Sequence, residues 1–406
     1  MGTLNPIKQI ANKARKLRDD HRERHRPTGF GFALADSIHY LDAAQWDSVT
    51  ANDSVFLSRD YLHVLESTGP ENSKQRYALI FRGRTAVAAV AAQLVRASAA
   101  QVPKSRMKKP VAGSLKRIHQ NVLVCGNLLS WGPHGVAFAP GEDPKTLWPA
   151  VAEALYRIRR ADRLLSSTDM VMVKDIPRDM MQDANALKRI SYRSVETEPN
   201  MVLTVSPNWR SYDDYLAALT ASYRKTARKI SEEIRTAGCV VETLGNVAEY
   251  AEAIHALYLQ VHHRQGMRLV TLTQEFLPML ASTFGNGFRC TVIRKEKEIL
   301  GFVTTLKDGE TAVGYYIGFD SRANSELPIY FRLLQAVVED SIQMGCRQVS
   351  FGRTALEPKA RLGAKPVPVH IWVRHRVPAM NILLRGLMQT LSHEEAPDRS
   401  PFKPAP

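Results

Sequence analysis

The sequence predicts a mixed α/β fold made of two similar units. Apolar runs of strand length alternate with amphipathic segments of helix length along most of the chain. The order hairpin, strand, helix, strand occurs twice, roughly 190 to 215 residues apart, which indicates an internal repeat. The chain has 406 residues, of which 44% are hydrophobic, and is long enough for about two or three domains. Two copies of one mixed α/β domain therefore explain the pattern better than one large sheet.

The first unit is expected over residues 29–197. Its hairpin comprises residues 76–81 and 85–95, which are apolar or alternating on either side of a charged turn. The remaining elements are a strand over 122–138, a helix over 144–160 with Pro144 in its first turn, and a buried strand over 170–174.

The second unit is expected over residues 198–392 and repeats this order. Residues 213–237 are predicted to be helical and to end at Gly238, because glycine suits the left-handed position after a helix. The other predicted elements are a helix over 247–265, a hairpin of 289–294 and 299–306, a strand over 311–319, a helix over 328–344 and a strand over 348–351.

Three segments lie outside these units or interrupt them. Residues 1–28 carry an amphipathic basic helix and a linker; the helix either lies on anionic lipid or RNA, or docks on its own protein. Residues 96–119 are predicted to be an exposed basic insertion, because they combine Lys and Arg with small residues and two prolines. Residues 393–406 are predicted to be a disordered tail.

Composition limits the functional classes. Fifty-five Lys and Arg against 40 Asp and Glu give a formal charge of +15, which favours polyanionic partners without choosing among nucleic acid, a membrane face and a phosphorylated substrate. No apolar run reaches the roughly 20 residues of a membrane span, and no secretion signal is recognised. We therefore expect a cytoplasmic protein. The cysteines are scattered without disulfide or metal spacing, and we expect free thiols and no metal site: Cys125, Cys239, Cys290 and Cys346.

Four sequence features in the second unit carry a resemblance to a known family. They are the basic segment Leu-Thr-Ala-Ser-Tyr-Arg-Lys-Thr-Ala-Arg-Lys at 219–229, the hairpin end Ile-Leu-Gly-Phe at 299–302, the strand with Tyr315, Tyr316, Phe319 and Asp320, and Phe-Gly-Arg at 351–353 with Lys359. In this order, residues 198–376 resemble the acetyltransferase-like domain of the GNAT superfamily, which occurs in tandem in Fem-type aminoacyl transferases. The first unit resembles it through its order of elements.

The resemblance implies two GNAT-like domains in tandem and transfer of an acyl or aminoacyl group to an amine. The donor would be an acyl-CoA thioester or an aminoacyl-tRNA, and the acceptor a small amine or a cell-envelope precursor. The protein itself could lie at the inner face of the membrane. Enzymes that use acetyl-CoA hold its pyrophosphate with a glycine-containing turn at a helix N-terminus. The corresponding turn, residues 321–328, contains Arg322 but no glycine, and Glu326 would repel a phosphate. A catalytically silent RNA- or membrane-binding protein is the alternative of another class.

Candidate site residues follow from this chemistry. Tyr315 or Tyr316 could donate the proton that the leaving group needs. One of His262 and His263, with His263 chosen here, could act as a base because imidazole titrates near neutrality. Arg353 and Lys359 follow a strand end and could hold an anionic acceptor. The other predicted substrate-binding residues are Tyr223, Arg224, Arg228, Asp320, Asn324 and Phe351. Each tyrosine could instead be a core aromatic, and the basic helix could be a solvated face.

Overall fold

The computed structural model describes residues 15, 26–98, 119–264, 269–378, 380–381 and 397–404. The predicted basic helix within 1–28, nearly all of the predicted insertion 96–119 and part of the predicted tail lie outside the described residues. Among the helices described, none combines the length and apolar character needed to cross a bilayer.

The first unit contains seven strands and four α-helices among the described residues. The strands are β1 (Gly31–Ala35), β2 (Ser73–Arg82), β3 (Thr85–Ser98), β4 (His119–Cys125), β5 (Val136–Phe138), β6 (Met170–Pro177) and β7 (Arg193–Thr204). The helices are α1 (Ala43–Thr50), α2 (Arg59–Thr68), α3 (Pro144–Ala161) and α4 (Ala186–Arg189). Asp143 caps α3 by accepting the Lys145 amide, and Pro144 occupies the first turn as predicted.

The second unit repeats the order of elements. Its strands are β8 (Cys239–Thr243), β9 (Phe288–Lys295), β10 (Glu298–Asp308), β11 (Thr311–Phe319), β12 (Gln348–Ser350) and β13 (Lys365–His375). Its helices are α5 (Tyr212–Ala218), α6 (Ala221–Thr236), α7 (Ala251–His262), α8 (Phe276–Phe284), α9 (Ser321–Glu326), α10 (Ile329–Gln343) and α11 (Leu356–Arg361).

The units exchange their last strands. The described strands form one 13-stranded sheet in the order β1-β2-β3-β4-β6-β13-β7-β12-β11-β10-β9-β8, with β5 paired to β3. From either edge the order is the same: an edge strand, a hairpin, a strand, its parallel neighbour, then the last strand of the other unit. β13 pairs with β6, β7 pairs with β12, and β7 and β13 pair with each other. The expectation of two units is confirmed, but the expectation that they would not share one sheet is wrong, because this exchange joins them.

The one-sheet arrangement also places two parallel strand pairs symmetrically. β4 is parallel to β6, and β11 is parallel to β12. The helices α3 and α10 make the crossovers, as parallel neighbours require. The predicted domain boundary between residues 197 and 198 falls inside β7, the strand that passes from one unit to the other.

Three predicted elements are divided or shorter in the structure. The strand predicted over 122–138 ends at Cys125, because Gly126 and Gly132 adopt positive φ angles of 132° and 129° and residues 126–135 form a loop. The helix predicted over 213–237 is broken at Leu219, which is extended and buried. The helix predicted over 247–265 begins with a 3-10 turn and ends at His262.

The described part of the tail is docked, so the prediction of disorder is wrong for residues 397–404. Phe402 packs against Trp209 and Tyr215, with ring centroids 5.6 and 6.0 Å away. Backbone bonds from Thr220 and Lys403 tie this segment to the break between α5 and α6. The packing of one aromatic side chain stabilises this segment against the disorder that its proline-rich composition favours.

Candidate active site

The strands β11 and β12 diverge at the junction of the two units. They pair only from Thr311 to Val313 on β11. Beyond Ser350 the chain turns toward β7, where Phe351 donates to the Met201 carbonyl at 2.9 Å and Met201 donates to the Gly352 carbonyl at 3.2 Å. The carboxyl end of β11 therefore continues without β12 beside it. Ligands of open α/β sheets bind at such carboxyl ends.

Tyr315 and Tyr316 lie on this part of β11 and connect it to the first unit. The Tyr315 hydroxyl is 2.7 Å from the Tyr61 hydroxyl, which accepts a hydrogen bond from Asn127 at 2.7 Å. Tyr316 donates to the Leu129 carbonyl at 3.1 Å. The two tyrosine rings contact each other with centroids 4.7 Å apart. Tyr315 is fully buried, whereas Tyr316 is half-buried.

Burial keeps both phenols protonated. Desolvation raises the pKa of Tyr315 and of Tyr316 well above the ordinary value near 10. Both hydroxyls are therefore hydrogen-bond donors at neutral pH and do not ionise. Tyr315 bonds to Tyr61 and Tyr316 bonds to Leu129, so both hydroxyls contact the first unit.

The loop 126–135 of the first unit packs against the carboxyl end of β12. Trp131 covers Gly352 so closely that a Cβ built on this glycine would lie 2.4 Å from the indole. Gly352 has a φ of 72°, a conformation that also favours glycine. The glycine of the Phe-Gly-Arg segment is thus required by close approach of the other unit.

A buried ion cluster fixes this loop to Arg353. Asp175 is fully buried and accepts from Lys174 at 2.5 Å, from the Gly132 amide at 3.1 Å and from the Arg353 guanidinium. Lys174 also donates to the Ser130 carbonyl at 2.6 Å. Arg353 therefore does not project into bulk solvent; its charge is matched by an aspartate of the first unit.

The same region contains titratable groups shifted by burial. Burial lowers the pKa of Arg353 to about 10 and, with the nearby Arg353 charge, lowers that of Lys174 well below its usual value. Burial and the Lys174 charge lower the pKa of His134 to about 3. Burial lowers the pKa of Lys359 to about 7, and its amine donates to the Arg353 carbonyl at 2.6 Å and the Gly352 carbonyl at 3.2 Å. Lys359 thus supports the 352–353 backbone.

Several buried polar atoms around the loop have no hydrogen-bond partner in the described structure. They are Ser130 Oγ, Trp131 Nε1, His134 Nδ1 and Arg353 Nε. Because an unpaired buried polar atom is costly, such atoms need a water or a ligand group. Within the described residues no group of three or more His, Cys, Asp or Glu is arranged to hold a metal ion.

The two histidines at the end of α7 differ in environment. His263 is exposed. His262 is buried; its Nδ1 is 3.1 Å from the Tyr258 hydroxyl and its Nε2 is 3.0 Å from Thr271 Oγ1. Tyr258 in turn contacts the ring of Tyr316, with centroids 5.7 Å apart. The histidine that faces the tyrosine pair is therefore His262, whereas His263 remains a predicted base on the surface.

The basic helix α6 lines an open pocket of about 650 Å³. Lys225 and Arg228 are exposed on its wall. Arg235 also lines it but is paired with Glu232 at 2.6 Å. The other lining residues are Tyr212, Asp213, Leu216, Lys229, Ser231 and Glu339. The pocket is therefore lined by four basic side chains and three carboxylates.

Two of the α6 residues predicted to bind substrate, Tyr223 and Arg224, make contacts within the second unit. Arg224 donates to the Ala217 and Leu219 carbonyls at 3.4 and 3.3 Å, which ties α6 to the end of α5. Tyr223 packs against the core of the second unit, in which Phe351 is buried. Arg224, Tyr223 and Phe351 do not line the basic pocket.

The turn before α10 is occupied by its own side chains. Asp320 caps α9 by accepting from the Ala323 amide at 2.8 Å, and this lowers its pKa. Asn324 accepts from the Tyr330 amide at 2.8 Å, in the first turn of α10. A helix N-terminus binds phosphate through its free amides. Because Asn324 takes one of these, the turn fits a CoA pyrophosphate poorly.

Four residues of the first unit that shape the site were not predicted from the sequence: Tyr61, Asn127, Trp131 and Asp175. Each is far in sequence from the β11 and β12 segments that it contacts. The one available signal was the run Gly126-Asn-Leu-Leu-Ser-Trp-Gly132, whose two glycines indicate a loop rather than a continuous strand.

The fold and site together define a tandem α/β protein with its candidate chemistry where the two units meet. Comparison with known families is more specific. Residues 221–360 match a family described as an acetyltransferase (GNAT) domain. The second unit therefore contains a GNAT acetyltransferase domain, and the predicted resemblance is confirmed.

Several solved structures are similar to this protein over most of the chain. The crystal structure of FemX is similar with a TM-score of 0.55 and 10% identity, over 87% of this chain and 99% of that chain. A tandem GNAT protein from the clavulanic acid biosynthesis pathway has a TM-score of 0.49 and 12% identity, over 86% of this chain and 99% of that chain. L-PGS from Bacillus licheniformis has a TM-score of 0.47 and 12% identity, over 82% of this chain and 96% of that chain. At these identities the likeness concerns the fold alone. No curated protein sequence matches the chain.

Proposed function

We propose that this protein is an N-acyltransferase that transfers an acyl group from an activated donor to an amine. The observation that carries the proposal is the divergence of β11 and β12 after Val313 and Ser350, inside the region that matches the GNAT acetyltransferase domain. Tyr316 on β11 and Arg353 after β12 flank this divergence. The four buried free cysteines support a reducing, cytoplasmic setting.

The chemistry requires a proton donor for the leaving group. The amine nitrogen attacks the acyl carbonyl, a carbon–nitrogen bond forms, and the bond from the carbonyl carbon to the sulfur or oxygen of the donor breaks. The leaving sulfur or oxygen then takes a proton. Tyr316 serves as this donor, since burial keeps its hydroxyl protonated and its one hydrogen bond, to Leu129, can be exchanged. Tyr315 positions Tyr316 through ring contact. The proton that the amine loses passes to solvent, because the exposed His263 does not face the tyrosine pair.

The polyanionic part of the donor binds the basic pocket of α6. Lys225 and Arg228 supply exposed charge there, while Arg235 is neutralised by Glu232. Each free cation adds a charge-assisted contact to a phosphate. Arg353 and Lys359 hold the turn after β12: Lys359 supports its backbone, and Arg353 joins it to Asp175 of the first unit.

One observation favours an aminoacyl-tRNA over an acyl-CoA as the donor. The side chain of Asn324 already accepts the Tyr330 amide at the start of α10, and Glu326 is exposed on the same turn. A pyrophosphate would have to displace Asn324 and approach a carboxylate. A tRNA ester does not depend on this turn, because its phosphates extend over a larger basic surface.

A donor panel tests the proposal. The protein is incubated with an amine mixture and either acyl-CoAs or charged tRNAs, and thiol release or tRNA deacylation is followed. Amine-dependent consumption of one donor class supports acyl transfer, and consumption of charged tRNA alone supports the aminoacyl donor. If no donor is consumed while RNA binding weakens steeply with rising salt, the protein is a silent polyanion binder and the proposal fails.

A further inference from the structure

Two leucines are held in solvent at the end of α3. Leu164 is 96% exposed and Leu165 is 77% exposed. Single exposed apolar residues are ordinary, but two adjacent leucines at one turn form a protruding apolar tip. Tyr156, 39% exposed, lies on the preceding helix and adds an aromatic side chain near this end.

The turn that presents the leucines is rigid. Asp162 begins a 3-10 turn that ends at Leu164, and its carbonyl accepts from the amides of Leu165 and Ser166 at 2.9 Å each. The Asp162 carboxylate is buried and bound by Arg76 through contacts of 2.8 to 3.0 Å. A buried, bidentate ion pair therefore fixes the turn to β2. The leucines are exposed because an ordered turn presents them at the surface, not because a helix end frays.

Exposed cations lie on the same segment as the leucines and on the sheet face that α3 covers. Arg160 and Arg163 are exposed on the same segment. Lys74 and Arg96 are exposed at the adjoining ends of β2 and β3, on the face of the sheet that α3 covers, because they alternate in step with residues of the core under α3. The carboxylates of the segment do not offset this charge: Asp162 is paired with Arg76, and Asp169 is paired with Arg376 at 3.1 Å.

We propose that the turn Asp162–Leu165, with these cations, is a docking surface for an anionic phospholipid bilayer. Leu164 and Leu165 insert into the interfacial layer, and the arginines and Lys74 contact lipid phosphates. An apolar tip with exposed cations on the same segment matches the two parts of such a surface, hydrocarbon below and negative charge above. RNA would use the cations but not the leucines. This inference does not depend on the proposed acyl transfer.

Vesicle binding of the full chain tests the proposal. Wild-type protein should bind phosphatidylglycerol-containing vesicles and bind pure phosphatidylcholine vesicles far more weakly. The double substitution Leu164→Ser with Leu165→Ser should weaken binding at least about tenfold, because most of the inserted hydrocarbon is lost. Arg160→Glu with Arg163→Glu should also weaken it by roughly tenfold or more. The matched control is Val240→Ser, since Val240 is 57% exposed on the edge strand β8; it should bind as wild type.

Insertion is read directly with a fluorophore. The native cysteines are buried, so Leu165→Cys can be labelled selectively with a polarity-sensitive dye. A blue shift of its emission on anionic vesicles, absent from a dye at Val240→Cys, supports insertion. The proposal is overturned if the dye at residue 165 does not respond, or if the double serine variant binds vesicles as wild type does. It is also overturned if ultracentrifugation shows a wild-type dimer that the serine variant converts to a monomer, because the leucines would then join two copies of the chain.

Discussion

The buried ion cluster predicts the most informative single substitution, Asp175→Asn. Asp175 is fully buried and is the shared acceptor for Lys174, Arg353 and the Gly132 amide. It also has a φ of 59°, a region that asparagine tolerates better than most residues. The substitution therefore removes the charge of the side chain while it keeps the size of the side chain and the backbone conformation of residue 175.

The expected cost follows from what remains. Asparagine leaves the Arg353 guanidinium and the Lys174 amine without a counter-charge, and its amide group must face one of these donors. Removal of one partner from a buried ion pair costs about 3 to 5 kcal/mol in the free energy of unfolding. We expect a loss of this size for Asp175→Asn. The loop 126–135 should loosen as well, since Gly132 is one of its anchors.

Urea unfolding followed by circular dichroism and tryptophan fluorescence measures the effect. Trp131 lies on Gly352 and should report the loosened junction. The matched control is Asp398→Asn, which removes the same charge from an exposed pair with Lys365 at 2.9 Å. Exposed pairs contribute about 0.2 to 1 kcal/mol. If Asp175→Asn destabilises the protein no more than Asp398→Asn does, the cluster does not join the two units.

Three further predictions follow from the site. Tyr316→Phe should lower kcat about 100-fold with little change in KM, because a proton donor matters most in the transition state. Equal changes for Tyr316→Phe and Tyr315→Phe in steady-state kinetics would contradict the role of Tyr316 as proton donor. Arg228→Glu should weaken binding of a phosphate-bearing donor roughly tenfold in a titration, whereas Arg347→Glu, the same charge reversal at an exposed pair with Glu310, should not. His134 has a pKa of about 3 in the folded state and near 6.5 in the unfolded state, so the unfolded state binds the proton first as pH falls. Between pH 7 and pH 5 this difference should lower the free energy of unfolding by about 2 kcal/mol. Urea titrations of His134→Gln should lack this pH dependence.

The sequence predicted the elements of the second unit closely. The strand predicted over 311–319 has these bounds in the structure, and the helix predicted over 328–344 is Ile329–Gln343. Local patterns suffice here because the strands are apolar on both faces and the helix is bounded by Pro328 and Gly345. The repeat of the same order in the first unit gave the tandem architecture.

The sheet connectivity could not be predicted in the same way. Exchange of β7 and β13 depends on pairing between segments roughly 170 residues apart, and hydrophobic periodicity carries no information about partners. A unit that keeps its last strand and a unit that exchanges this strand have the same pattern of strands in the sequence. For this reason the sequence indicated two domains but not their shared sheet.

The candidate site was predicted only in its second-unit half. Tyr315, Tyr316 and Arg353 lie at the junction, but their hydrogen-bond and ion-pair partners Tyr61, Leu129 and Asp175 come from the first unit. Which of His262 and His263 faces inward depends on the end of α7, and helix ends are the least predictable feature of a sequence. Arg224 and Arg228 separate because the break at Leu219 gives Arg224 two free carbonyls to bind.

We propose above that an acyl group is transferred to an amine at the divergence of β11 and β12. Mass spectrometry of a reaction that contains a ¹⁵N-labelled amine mixture and the donor consumed in the panel tests it directly. We expect a product that carries the acyl mass and the ¹⁵N label in an amide, at a rate that falls about 100-fold in Tyr316→Phe. A product that is only the free acid, or an amide formed equally fast by Tyr316→Phe and wild type, would contradict acyl transfer by Tyr316 at this site.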